Sequence, residues 1–176
     1  MPRYIAFLRA INVGGHVVKM DRLRALFEAL RFRDVETFIA SGNVLFYARS
    51  DDAAALEERI ERHLQTELGY AVGTFLRTPA QLAAAAAYQP FADLEPSHSL
   101  YVGFLKSAPS DERRDALLAL RTDVDDLHVH DRELYWRLRV MKLTESKVSG
   151  AKLERAIGQT TLRNVTTVRK LAEKGL

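Results

Sequence analysis

Two short polar loops, each bearing glycine and each ending an apolar run, constrain the start of this chain more than any other feature. The first run, Tyr4-Ile-Ala-Phe-Leu-Arg-Ala-Ile11, empties into Asn12-Val-Gly14-Gly15. The second, Val35-Glu-Thr-Phe-Ile-Ala40, empties into Ser41-Gly42-Asn43, and Val44-Leu-Phe-Tyr47 follows at once. All three apolar runs are β-rich and read as strands. Between the first two, Met20, Leu23, Leu26, Phe27 and Leu30 recur at helical spacing. A strand–helix–strand crossover is right-handed and makes its strands parallel. Both loops therefore fall at one end of one sheet. Ser41-Gly42-Asn43 is a hairpin turn, because Gly and Asn tolerate the positive φ of tight hairpins.

The same reading continues along the chain. Ser50-Asp51-Asp52 is a helix start, Leu56, Ile60, Leu64 and Leu68 form its apolar stripe, and Gly69 ends it. Tyr70–Leu76 is a fourth strand. The first half is thus strand–helix–strand–strand–helix–strand, the ferredoxin-like order. Thr78-Pro79 opens a short helix. Residues 89–97, with two prolines and no periodicity, read as a linker. A strand at 98–107, a helix from Pro109, a hairpin turning near Asp131-Arg132 and a helix over 151–157 then repeat the order. The segment that should supply the last strand reads as a basic helix from about Asn164 to Lys174. The expectation is α+β: two ferredoxin-like halves, 1–88 and 98–176, the second incomplete and ending in a basic helix. This is a duplication by element order alone.

Composition bounds the function. The chain has 176 residues, 47% hydrophobic and 28% charged, enough apolar material for a packed core. No apolar run reaches the roughly 18 residues of a membrane helix, and no signal peptide opens the chain, which points to the cytoplasm. With no cysteine, disulfides and thiolate chemistry are excluded. Residues 1–31 hold six Lys/Arg against two acids, residues 32–131 nine against seventeen, and residues 132–176 eleven against four. Basic ends and an acidic middle either attract one another or expose a surface suited to phosphate.

Phe7-Leu-Arg-Ala-Ile-Asn-Val-Gly-Gly15, Met20-Asp-Arg-Leu-Arg24, Ala40-Ser-Gly-Asn-Val-Leu-Phe46 and Thr161-Leu-Arg-Asn-Val-Thr-Thr-Val-Arg-Lys-Leu171 resemble a bacterial family known as domain of unknown function 1697. The resemblance spans essentially the whole chain. It departs at His16, where Lys or Asn is expected, and at Val165-Thr166, where Trp-Asn is usual. It implies a similar fold and no established activity.

Candidate site residues come from three loops. Gly14 and Gly15 let backbone N–H groups approach a ligand at the start of a helix, with Asn12, His16 and Lys19 beside them. The spacing fits neither glycine motif for nucleotides, so a plain turn is the alternative. Arg9 is a guanidinium at the end of an apolar strand, placed either as an edge charge or toward an anion. Its strand face carries Ile5 and Phe7, and in such sheets one face can be open. The third strand, Asn43-Val-Leu-Phe-Tyr47, lacks the RNA-binding signature of that fold. Thr160-Thr-Leu-Arg163-Asn164 either caps the last helix or grips phosphate. His128 and His130 face one way on a strand but have no third ligand, so no metal site is assigned. Three readings follow. The leading one is a phosphate-bearing or anionic partner, nucleic acid or nucleotide, bound at 12–19, 41–43 and 160–164 through Arg9, Asn12, Gly14, Gly15, Lys19, Ser41, Gly42, Asn43, Arg163 and Asn164. The second is an enzyme on a small anionic substrate at the same loops, with His16 as the one titratable loop group. The third is a structural clasp, which would bury Asn43 and Asn164 against backbone.

Overall fold

The computed structural model describes residues 1–39, 42–140 and 142–175. Ser41, a candidate site residue, lies outside the described residues together with Ala40. The chain forms two compact units, Met1–Ala83 with the terminal segment from Leu171, and Ala84–Lys170.

The first unit is built from β1 (Arg3–Arg9), α1 (Met20–Ala29), β2 (Arg33–Thr37), β3 (Asn43–Tyr47), α2 (Ala53–Leu68) and β4 (Gly73–Arg77). Its sheet order is β2-β3-β1-β4, with every neighbouring pair antiparallel. β1 and β2 are therefore parallel and not adjacent, as the crossover requires. Tyr4, Ala6, Leu8, Val44, Phe46 and Leu76 form the sheet side of a core whose helical side includes Leu23, Phe27, Leu56, Ile60 and Leu64. The period-2 and period-3.6 patterns thus meet on one face. Asp52 caps α2 by accepting from the Ala55 N–H at 3.0 Å, and Gly69 closes it in the left-handed region at φ 83°. On α2, Glu57 accepts from the Leu76 N–H and Glu61 from the Thr74 N–H, both at 2.8 Å. Those donors belong to β4, an edge strand. The opposite sheet face is not open: Ile5, Phe7, Leu45 and Phe75 are fully buried.

The helix α3 (Pro79–Ala87) starts in the first unit and ends in the second. Thr78 and Gln81 exchange side-chain bonds to each other's N–H groups at its start. The second unit adds β5 (Ser99–Phe104), α4 (Asp111–Leu118), β6 (Asp125–His130), β7 (Glu133–Leu138), α5 (Gly150–Ile157) and β8 (Thr161–Asn164). The helix α6 (Val165–Gly175) leaves it and ends in the first unit, where the Gly175 carbonyl accepts from Arg3 Nη1 and Lys174 pairs with Glu36. The sheet order is β6-β7-β5-β8, again all antiparallel.

The second half is therefore complete, which corrects the expected missing strand. Thr161–Asn164 pairs with β5 before α6 begins. The strand is only four residues long, and its buried positions are Thr161 and Arg163. It has no apolar alternation to betray it. It comes close because Gly103 has no side chain: a Cβ there would meet Thr160 Oγ1 at 2.9 Å and Leu162 Cδ2 at 3.0 Å. Gly103→Val should cost about 1–3 kcal/mol through overpacking. A chemical-denaturation midpoint equal to that of the unaltered protein would refute this account of the β5–β8 contact.

Two polar clusters organise this unit. Asp125 is fully buried, and its carboxylate accepts from Thr122 Oγ1, Ser146 Oγ, Trp136 Nε1 and the Lys147 N–H. Arg137, 4% exposed, sends Nε and Nη2 to Asp126 and Nη1 to Asp93, and its Cζ lies 4.5 Å from the Phe91 ring centroid. Residues 89–97 carry no helix or strand and are anchored within the second unit by these contacts.

Candidate functional site

The two early loops are brought together within the first unit. The Leu8 N–H donates to the Gly42 carbonyl at 2.9 Å. A Cβ at Gly42 would come within 2.9 Å of Ile11 Cγ2, so close approach as well as its φ of 79° requires glycine. Asn43 is fully buried, and its Nδ2 donates to the Phe38 carbonyl at 2.9 Å. This bond closes its own hairpin.

The 12–19 loop is held by its own contacts. Asn12 Oδ1 accepts from the Val18 N–H at 2.8 Å. His16 stacks on Tyr70 with centroids 3.9 Å apart, and the Tyr70 hydroxyl donates to the Ile11 carbonyl at 2.8 Å. Burial pushes that phenol above its ordinary value. Gly14 and Gly15 have positive φ with open space where a Cβ would sit, so conformation alone explains them. Lys19 is exposed at the start of α1 and makes no side-chain cap. Arg9, half-buried, lies opposite Gly73 at the end of β1.

Arg163 and Asn164 belong to the second unit. Arg163 is buried, its Nη1 donating to Thr161 Oγ1 at 2.8 Å and to the Leu162 carbonyl at 2.9 Å. Burial pushes its guanidinium down to about 10. Asn164 is exposed, and its Oδ1 accepts from the Thr166 N–H at the start of α6, as a cap does. On β6, His128 and His130 face Tyr88. The His130 ring stacks on it at 3.9 Å, and His128 Nε2 hydrogen-bonds its hydroxyl at 2.8 Å. Burial, then His130, Arg121 and Arg114, holds His128 below its ordinary value. No metal-binding group of three His, Cys, Asp or Glu is present among the described residues.

A strongly basic concavity lies at the other end of the first sheet, where sequence reasoning placed nothing. A cleft of about 480 Å³ is lined by Arg31, Arg33, Arg49 and Arg59, with Leu30, Phe32, Ala48 and Leu56 as apolar walls and Ser50 at its side. It joins the end of α1, the start of β2, the end of β3 and the first turns of α2. Arg59 is fixed: its Nη2 donates to the Leu30 carbonyl at 2.7 Å, and its Cζ lies 5.4 Å from the Phe32 ring centroid. It thereby satisfies a carbonyl that the end of α1 would leave open. Among the described residues nothing pairs with the guanidinium groups of Arg31, Arg33 or Arg49. All four arginines are exposed, and among the described residues no carboxylate lines the cleft. The available sequence signal was Arg31 and Arg33 flanking Phe32, two alternate charges at the mouth of a strand.

Residues 1–135 match the model of a family described as protein of unknown function (DUF1697). No curated protein matches the chain. Among solved structures, the conserved bacterial protein SP0830 from Streptococcus pneumoniae is similar over 99% of each chain, with 22% identity and a TM-score of 0.77. That likeness is one of fold, and it spans both ferredoxin-like halves. No helix among the described residues is long and apolar enough to cross a membrane. With the family model covering 135 of its 176 residues, the chain belongs to the DUF1697 family.

Proposed function

We propose that the first unit binds a phosphate-bearing partner, nucleic acid or nucleotide, in the cytoplasm. The observation that carries this reading is the four-arginine cleft. Like charges gathered without acids repel one another, and an anion relieves that repulsion. The planar guanidinium fork matches phosphate oxygens two at a time. Lys19 and Arg9 add the same sign to this unit at the loop end. The repeated element order supports an origin by duplication.

Retention on phosphocellulose tests the reading. The protein should bind at about 50 mM salt and elute as salt rises, since phosphate contacts release counterions. Arg33→Ala with Arg49→Ala should elute at lower salt than Lys152→Ala with Arg155→Ala, which removes equal charge from the second unit. Equal elution of the two double variants would leave only general basicity and sink the proposal.

A further inference from the structure

We infer that the Arg31, Arg33, Arg49 and Arg59 cleft takes a compact, multiply charged phosphate compound, such as a polyphosphate or nucleoside polyphosphate, and not a nucleic-acid strand. This rests on the reading that the first unit binds a phosphate-bearing partner, and it names the class of that partner. The cleft volume, about 480 Å³, falls in the range of small-molecule sites. Behind the arginines it is backed by Leu30, Phe32, Ala48 and Leu56, all buried.

The arginines are placed by separate backbone devices. Arg31 sits in the left-handed region at φ 61°, its N–H donating to the Glu28 carbonyl as α1 ends. Arg33 pairs with Tyr47 at the first rung of β2 and β3, and the register shifts just after it. Arg49 follows the end of β3, and Arg59 projects from α2 and is held on Leu30 and Phe32. Positioning from four segments surrounds a ligand instead of lining a track.

The size of the cleft and the acids next to the arginines in sequence count against a strand. Asp34 follows Arg33, and Asp51 and Asp52 follow Ser50, all three exposed. The Tyr4 hydroxyl donates to the Ser50 carbonyl at 3.3 Å. Burial, then Asp51 and Asp52, raises that phenol. A single strand carries a phosphate about every 3.4 Å along a stacked helix, so most of its charge would lie outside a cleft of about 480 Å³. A compact polyanion keeps its charge inside the arginines.

Calorimetric titration at about 50 mM salt distinguishes the outcomes, using sodium tripolyphosphate, orthophosphate and a thymidine oligonucleotide of about 20 nucleotides. Tripolyphosphate should bind more tightly than either other probe. Arg33→Ala with Arg49→Ala should weaken it at least about tenfold, the loss expected from removing charge-assisted contacts. Lys152→Ala with Arg155→Ala should not. Circular dichroism and the melting temperature check that both variants fold. If the oligonucleotide binds as tightly or more tightly and the cleft variant loses it, the compact-ligand inference fails while the phosphate-partner reading stands. If no probe binds in an arginine-dependent way, both fail.

Discussion

Replacing Asp125 with alanine is expected to destabilise the second unit by about 3 kcal/mol or more, because several buried donors lose their acceptor at once. The carboxylate is fully buried and serves Thr122, Ser146, Trp136 and the Lys147 N–H. It thereby ties residues 146–147 to the β6–β7 hairpin. The melting temperature should fall by on the order of 10 °C. Trp136 is the chain's single tryptophan, so its fluorescence follows this transition directly. Acid sensitivity provides a second test. Burial alone would raise the Asp125 carboxyl, but Ser146, Thr122, Trp136 and the Lys147 N–H outweigh it and hold it below its ordinary value of 3.8. A folded value below the unfolded one gives stability that is present above the unfolded value. It is lost as pH falls through the folded value. Asp125→Asn should flatten that acid limb; an unchanged limb would show that Asp125 is not its source.

Arg137→Ala should cost about 2–4 kcal/mol, from removing the two donors that Arg137 sends to the half-buried Asp126, which keeps only Arg139, and from losing contact with Phe91. Asp93 lies in solvent and adds position more than energy, but it anchors residues 89–97. The sharper readout is therefore limited proteolysis: cleavage within 89–97 should accelerate strongly in the variant. Arg137→Lys should rescue little, because an ammonium cannot span Asp93 and Asp126 in one plane. Cleavage of 89–97 at the unaltered rate would mean that something other than Arg137 holds the segment.

How far the fold could be read from sequence varied with how much apolar pattern each element carried. β1, α1 and β3 bury regular faces, so period and crossover handedness were enough to order the first sheet. β8 buries Thr161 and Arg163, and its partner strand contributes a glycine, so nothing in its pattern departs from a capping segment. The loop end was legible as geometry, since Gly42 does pack on Leu8 and Ile11. Its amides are occupied locally: Asn12 bonds Val18, and Asn43 bonds Phe38. The arginine cleft was illegible for a different reason. Arg33, Arg49 and Arg59 lie in the stretch whose summed charge is acidic. Segment totals average away a cluster assembled from three elements and a helix end.

The placement of Glu57 and Glu61 has a consequence for how this protein meets others of its kind. A sheet stops growing where its outer amide hydrogens have no lone pairs left to find, and on β4 those of Thr74 and Leu76 are already taken. A stray extended peptide seeking to extend the sheet there would have to evict two acidic side chains from their bonds, against the repulsion of its own carbonyl oxygens. Termination by side chains one helical turn apart closes this edge of the first sheet to fibrous pairing without proline or an extra strand.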